Sequence, residues 1–243
     1  MSITYAISNQ KGGCGKTSMT LNLGASLARM GHKVCLVDCD PQANMTMALG
    51  CQQPDELPVT LPHVMQDIII AGGRVENAGL VQKREYILNA QGLDFVPSSI
   101  ELSALENILI NTISRESILK KFISFIKDDY DYVLLDGMPS LNIMTVCTLN
   151  AADRILIPTQ PQFFSAKGIE LLLNTIANVR DNLNPNLTIK VALITMYDSR
   201  LNFHREVLSI LTNTYGGYFQ TYETKIPVSV RVTEAQATRP QYI

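Results

Sequence analysis

Short runs of consecutive apolar residues alternate along this chain with longer stretches of helical period. Residues 3–8, 33–38, 93–97, 132–136, 154–158 and 188–195 read as strands. Several are apolar at successive positions, as in Tyr132-Val133-Leu134-Leu135, which suits strands buried on both faces of a parallel sheet. Residues 16–30, 102–111, 115–127, 141–151, 166–182 and 203–215 carry helical spacing. The alternation predicts an α/β fold, a doubly wound and mostly parallel sheet with helices on both faces. Residues 51–91 are less regular and hold Pro54, Pro58, Pro62 and the Gly72-Gly73 pair. They read as a surface excursion, so residues 1–243 are expected to form a single domain. In such a sheet, ligands bind beyond the carboxyl ends of the strands. Three strands run there into glycine-rich or acidic sequence, at residues 9–17, 38–41 and 136–140.

Composition narrows the class. With 243 residues, 46% hydrophobic and 17% charged, the chain is neither disordered nor fibrous. The net charge of −2 gives no global signature of a nucleic-acid binder. The charge is uneven, however. Residues 1–189 carry 14 basic and 18 acidic side chains, whereas 190–243 carry 6 and 4. That part carries a small basic excess although the whole chain does not. The five cysteines form no C-x-x-C pair and read as free thiols of a reducing cytosol. No signal peptide opens the chain, and no apolar run reaches the about 20 residues that span a bilayer. A cytoplasmic location is expected.

Three motifs carry chemistry. Lys11-Gly12-Gly13-Cys14-Gly15-Lys16-Thr17 follows a strand and opens a helix, as a phosphate-binding loop requires. Its glycines let backbone N–H groups approach phosphate oxygens, and the helix N-terminus adds positive field. Ser18 offers a further donor, Lys16 suits the β- and γ-phosphates, and the Thr17 hydroxyl suits Mg2+. The ordinary G-x-x-x-x-G-K-[ST] pattern fails at its first position, Gln10, while a second lysine, Lys11, stands at the loop's start. In Asp38-Cys39-Asp40-Pro41-Gln42, two carboxylates at spacing i, i+2 suit one acid near Mg2+ and one orienting water. Asp40 as a mere cap of a helix starting at Pro41 is the simpler structural alternative. Asp136, after the apolar 132–135 run, has the Walker B arrangement that holds Mg2+, often through water. No guanine-reading Asn-Lys-x-Asp segment is present, which favours adenine.

With these residues in place, the chain resembles the ParA/Soj family of DNA-partitioning ATPases, in the deviant Walker A (MinD/ParA-like) class of P-loop NTPases. The matching stretches are KGGCGKTSMTLNLGASLA, VCLVDCDPQANMT, YDYVLLDGMPSL, ITMYDSRLNF and IPVSVRVTEA, in the family's order across almost the whole chain. The resemblance implies an Mg2+-dependent ATPase that binds ATP and ADP. It also implies an ATP-sandwiched homodimer on nonspecific double-stranded DNA, stimulated by a ParB-like centromere-binding protein, nucleoid-associated and without membrane contact. Lys11 looks like the signature lysine that reaches the partner subunit's phosphates. Lys16 and Thr17 take phosphate and Mg2+ roles, Asp40 positions attacking water near the metal, and Asp136 is the Walker B acid. Met196, Asp198 and Pro227 match segments that border adenine, and Arg200 and Arg231 match DNA-binding positions. Catalysis is thus expected from Lys11, Lys16 and Asp40, metal binding from Thr17, Asp40 and Asp136, and nucleotide binding from Gly12 to Ser18.

The chain departs from the family in three places. It has Asp136-Gly137-Met138-Pro139-Ser140 where the family writes Asp-Cys-Pro-Pro-Ser, and 160–168 lacks the usual glutamates. It stops at Ile243, where relatives continue into a final helix. A membrane-cycling ATPase of the MinD kind is the first alternative, but it wants a basic amphipathic C-terminal helix that 233–243 does not show. A tyrosine kinase would use Tyr215, Tyr218, Tyr222 and Tyr242, which read more simply as aromatics of a late strand. A non-hydrolysing DNA-binding scaffold is the third alternative, and the intact Lys11, Lys16, Thr17, Asp40 and Asp136 speak against it.

Overall fold

The strand segments assemble in the order β3-β4-β2-β5-β1-β6-β7, so the first strand of the chain lies inside the sheet. Their bounds are β1 Ile3–Ile7, β2 Val34–Cys39, β3 Leu88–Ala90, β4 Leu93–Val96, β5 Tyr132–Gly137, β6 Arg154–Thr159 and β7 Thr188–Ile194. The computed structural model describes residues 2–80, 84–162 and 165–237. All neighbours run parallel except β3 and β4, which form an antiparallel hairpin. All six residues of β2 are buried, as are the last five of β5 and of β6. Unbroken apolar runs therefore mark strands covered on both faces.

The covering helices are α1 Lys16–Arg29, α2 Asn44–Ala48, α3 Leu61–Ile70, α4 Glu101–Ile110, α5 Ile118–Ile126, α6 Ile143–Ala151, α7 Ser165–Asn182, α8 Asn202–Tyr215 and α9 Val230–Ala237. Alternate strand residues divide between two apolar clusters. Cys35, Val37, Val133 and Leu135 face the larger one under α3 to α7, while Leu36 and Leu134 face the smaller one under α1. Helix α1 lies very close to the sheet: a Cβ on Gly24 would come within 2.7 Å of Leu36 Cδ2. The predicted six strands and six helices are all present with ends shifted by a few residues. Residues 115–127 contain α5 flanked by single tighter turns, Arg115–Ser117 and Lys127–Asp129.

The surface-excursion reading of 51–91 is wrong. This stretch contributes α3, whose Leu61, Val64, Met65 and Ile68 are buried in the larger cluster. Those four sit at i, i+3, i+4 and i+7, one helix face. Pro62 lies in the first turn, where its missing N–H costs nothing. Thr60 closes a capping box with the His63 side chain. Among the described residues, the late strand around the tyrosines is reduced to isolated bridges at Thr221 and Pro227. The segment 220–226 follows the free edge of β7 through Ala192 N to Gln220 O, Tyr222 N to Ala192 O and Ile226 N to Ile194 O. Tyr215 closes α8. The tail from 238, with Tyr242, lies outside the described residues, as do Phe163 and Phe164.

Candidate active site

The register of the central strands gathers the three motifs. Asp38 of β2 pairs with Asp136 of β5, and Asp136 pairs with Ile7 of β1, so all three sit in one row at the carboxyl end. The loop after β1 rises directly over that row. Asn9 anchors its start, donating from Nδ2 to the Pro158 carbonyl at 2.7 Å and accepting from Lys11 N at 3.0 Å. Gln10, where the ordinary pattern has glycine, lies against α7, where a Cβ on Gly168 would stand 3.0 Å from its Nε2. Gly13 (φ 69°) and Gly15 (φ 92°) adopt the left-handed region that a side chain disfavours. Helix α1 then starts at Lys16, with the N–H groups of its first turn free of intrahelical acceptors. Ser18 lies in that first turn.

Lys16 is buried and donates from Nζ to the Lys11 carbonyl at 3.1 Å. The ammonium thus folds back over the loop that a polyphosphate would enter. Lys11 extends outward, its Nζ hydrogen-bonded to Gln162 Oε1. Thr17 Oγ1 donates to Asp136 Oδ2 at 2.7 Å, and Thr20, one turn on, donates to Asp136 Oδ1 at 3.1 Å. Hydroxyl and carboxylate oxygens of this kind suit Mg2+, which keeps several water and phosphate ligands. Among the described residues no group of three or more His, Cys, Asp or Glu gathers around a common point. The donor set therefore fits a cation completed by phosphate and water and does not fit an all-protein cage.

Asp38 and Asp136 are both fully buried, and burial pushes both carboxyls above the usual carboxylate range. The charge of Asp38 adds to the rise at Asp136, while hydrogen bonds from Thr17 and Thr20 and the Lys16 charge oppose it. Asp38 does not reach outward with Asp40. Its Oδ2 accepts from Thr46 N (2.9 Å) and Thr46 Oγ1 (2.7 Å), and its Oδ1 from the Asp40 N–H at 3.2 Å. Thr46 Oγ1 in turn accepts from Ser98 N at 3.0 Å. Asp38 therefore acts as a pin for the loop that carries Asp40. Asp40 accepts from Gln42 N at 2.9 Å in a local turn, and α2 begins only at Asn44 after left-handed Ala43. It caps no helix at Pro41.

The remaining candidate residues lie on the other side of the loop. Met196 is left-handed (φ 53°) and exposed. The backbone of Tyr197 bridges to Pro227, which brings the 226–228 segment beside 195–197. Asp198 holds Arg200 in a two-pronged contact of 3.0 and 2.7 Å, and the guanidinium pulls the Asp198 carboxyl down to about 2. Arg200 and Arg231 are both solvent-exposed. Sequence reasoning missed Thr20, Thr46, Gln160 and Thr195. Thr20 was readable, being one helical turn after Thr17 and on its face. Gln160 and Thr195 carry no charge, and only the fold brings them to the loop.

Gly137, the first departure from the family's wording, has a structural reason. A Cβ there would lie 2.7 Å from the Ile7 carbonyl oxygen of β1. The strand carrying Asp136 thus approaches the strand carrying the phosphate loop more closely than a side chain permits.

Comparison with known proteins identifies the family. A family profile described as an AAA domain (AAA_31) matches residues 2–189. The sporulation initiation inhibitor protein Soj of Bacillus subtilis is 39% identical over 235 residues, covering 95% of this chain and 86% of Soj. The chromosome partitioning protein ParA of Caulobacter vibrioides is 37% identical over 232 residues, covering 95% of this chain and 82% of ParA. Cobyrinic acid a,c-diamide synthase of Mycobacterium smegmatis, solved with ADP and magnesium, superposes with a TM-score of 0.83 at 32% identity over 94% of this chain and 88% of that one. Apo McdA of Cyanothece shares the fold with the same TM-score at 20% identity, covering 100% of this chain and 91% of its own. Among the described residues no helix is long and apolar enough to cross a membrane. The phosphate-loop geometry, the acid at the end of β5 and these relatives agree, and the chain belongs to the ParA/Soj family of partitioning ATPases.

Proposed function

We propose that the chain, acting as one ATPase domain, hydrolyses ATP to ADP and phosphate and uses the nucleotide to switch its hold on DNA. The observation that carries this reading is the buried Lys16 in a glycine loop whose foot is the Thr17–Asp136 oxygen pair. Lys16 and the loop N–H groups bind the polyphosphate, and Thr17 and Asp136 hold Mg2+ with phosphate and water. When bound, Mg2+ neutralises charge on the phosphates. Asp40 orients the attacking water. Lys11, already extended outward, delivers positive charge to the phosphates of a second subunit, as an arginine finger does. Met196, Asp198 and Pro227 flank the base.

The ATP-bound form is a homodimer that binds nonspecific double-stranded DNA through Arg200 and Arg231, placing the protein on the nucleoid in the cytoplasm. A ParB-like centromere-binding protein stimulates turnover, and hydrolysis releases the DNA. Relatives named for chromosome partitioning support this assignment. The test compares ATP affinity, turnover and DNA binding at low salt in wild type, Lys16→Ala and Asp40→Ala. Lys16→Ala should weaken ATP binding by about 100-fold, the scale of removing one charge-assisted hydrogen bond to phosphate. Asp40→Ala should retain ATP-dependent DNA binding and lose turnover. Equal ATP binding by Lys16→Ala and wild type would sink the assignment.

A further inference from the structure

A phosphate loop has two faces. Its N–H groups must point at a polyanion, and a trans peptide sets the carbonyl of each such peptide on the opposite side. Those outward carbonyls still need donors, or the peptides rotate to find them. Two side chains from outside the loop provide them. Gln160, the residue after β6, donates from Nε2 to the Gly13 carbonyl at 2.8 Å. Thr195, the residue after β7, donates from Oγ1 to the Cys14 carbonyl at 2.8 Å. The Gly13 carbonyl shares its peptide with the Cys14 N–H, and the Cys14 carbonyl shares its peptide with the Gly15 N–H. Both supporting side chains are buried and neutral, so neither adds a charge that would compete with the ligand.

We infer that Gln160 and Thr195 are positioning residues of the nucleotide site, holding the Cys14 and Gly15 N–H groups toward the polyphosphate before it arrives. This rests on the reading of the site as an ATP pocket. Donors aimed in advance need no reorganisation on binding. The bracing matters here because Gly13 and Gly15, both left-handed, flank these peptides with the permissive backbone of glycine. The sheet sets the reach: β6 pairs with β1 at Leu156 and Ile7, and β7 lies beside β6. Gln160 Nε2 also lies against Met196 Sδ. Only the amide nitrogen, with two hydrogens, can face a carbonyl oxygen and a thioether sulfur together. Gln160 thus ties the phosphate loop to the segment proposed to flank the base, while Thr195 acts on the loop alone.

The test uses the full chain and four proteins: wild type, Thr195→Val, Thr195→Ser and Gln160→Met. Dissociation constants for ADP and a non-hydrolysable ATP analogue with Mg2+ are measured by calorimetry, beside nucleotide-free melting and steady-state ATP turnover. Thr195→Val and Gln160→Met should each bind both nucleotides about tenfold more weakly, the scale of one missing hydrogen bond and its displaced partner. Thr195→Ser, which keeps the donor, should stay within about threefold of wild type. KM should rise while kcat at saturation stays within about twofold, because the bracing acts on binding. Folded Val and Met variants that bind like wild type would overturn the inference, as would a Ser variant as weak as the Val one. If Thr195→Val does not fold, Gln160→Met decides alone, and failure of both to fold makes the roles structural and overturns it too. Wild type that binds neither nucleotide sinks the ATP reading itself, whereas wild-type binding with unaffected variants sinks this inference alone.

Discussion

The two sides of the site are built in opposite ways. At the carboxyl ends of β2, β5 and β1, the chemistry is sunk into the core: Asp38, Asp136 and Thr20 are almost wholly buried, and their hydrogen bonds are internal. Past β7 the candidates stand largely in solvent: Met196, Pro227, Arg200 and Arg231 are exposed, and Arg200 pairs with Asp198. Holding phosphate and metal demands oxygens and N–H groups fixed in a medium where charges act strongly. Meeting another macromolecule demands surface. The proposed function divides these two tasks across one loop.

Three substitutions press on that contrast. The largest effect is expected at Gly137→Ala, because the new methyl meets a backbone oxygen of the central β1 strand, which cannot swing aside as a side chain would. A loss of about 3 kcal/mol is expected by chemical denaturation, on the scale of overpacked cores. A loss under about 0.5 kcal/mol would mean the buried side is less rigid than its contacts imply.

Next comes Asp136→Asn. The folded chain keeps the Asp38–Asp136 pair protonated where unfolded carboxyls, with values of about 3.9, are already ionised. Folding then takes up protons, so stability falls as pH rises from about 4 until the pair itself ionises towards neutrality. Asparagine removes that penalty. Nucleotide-free Asp136→Asn should melt about 3–6 °C above wild type at pH 8 and converge with it near pH 4. A variant less stable than wild type at pH 8 would contradict the raised pair. Arg231→Ala should have the smallest effect. Melting should be unchanged, DNA affinity should fall uniformly across sequences, and the salt slope should drop by about 1 for each phosphate that the arginine had neutralised. An unaltered slope would remove Arg231 from the DNA surface.

The buried side was the legible one. Apolar runs ending in glycine or aspartate placed β1, β2 and β5 and their loops, because burial on both faces forces unbroken apolar sequence. What escaped has physical causes. In 51–91 three prolines drew attention from Leu61, Val64, Met65 and Ile68, although Pro62 only occupies a first turn where proline is welcome. Strand β3 spans three residues, too short for any period to register. Its turn is marked only by Gln91 and Gly92, both left-handed. The sequence spacing reads Asp38 as pointing the same way as Asp40, but the Thr46 contact eight residues on holds it in the core. Gln160 and Thr195 are ordinary neutral residues until β6 and β7 are laid beside β1.

One margin of the sheet is covered and the other is short. On one side the last strand is the short β3, turned against its neighbour, with Asn89 and Asp94 joined by a 2.7 Å side-chain bond. On the other, 220–226 occupies the rim of β7 at Ala192 and Ile194. A sheet with bare parallel edges invites copies of itself to continue the ladder, which is how fibres start. Here one edge is occupied and the other offers only three residues. Copies of the chain brought close together would therefore find little edge on which their sheets could fuse.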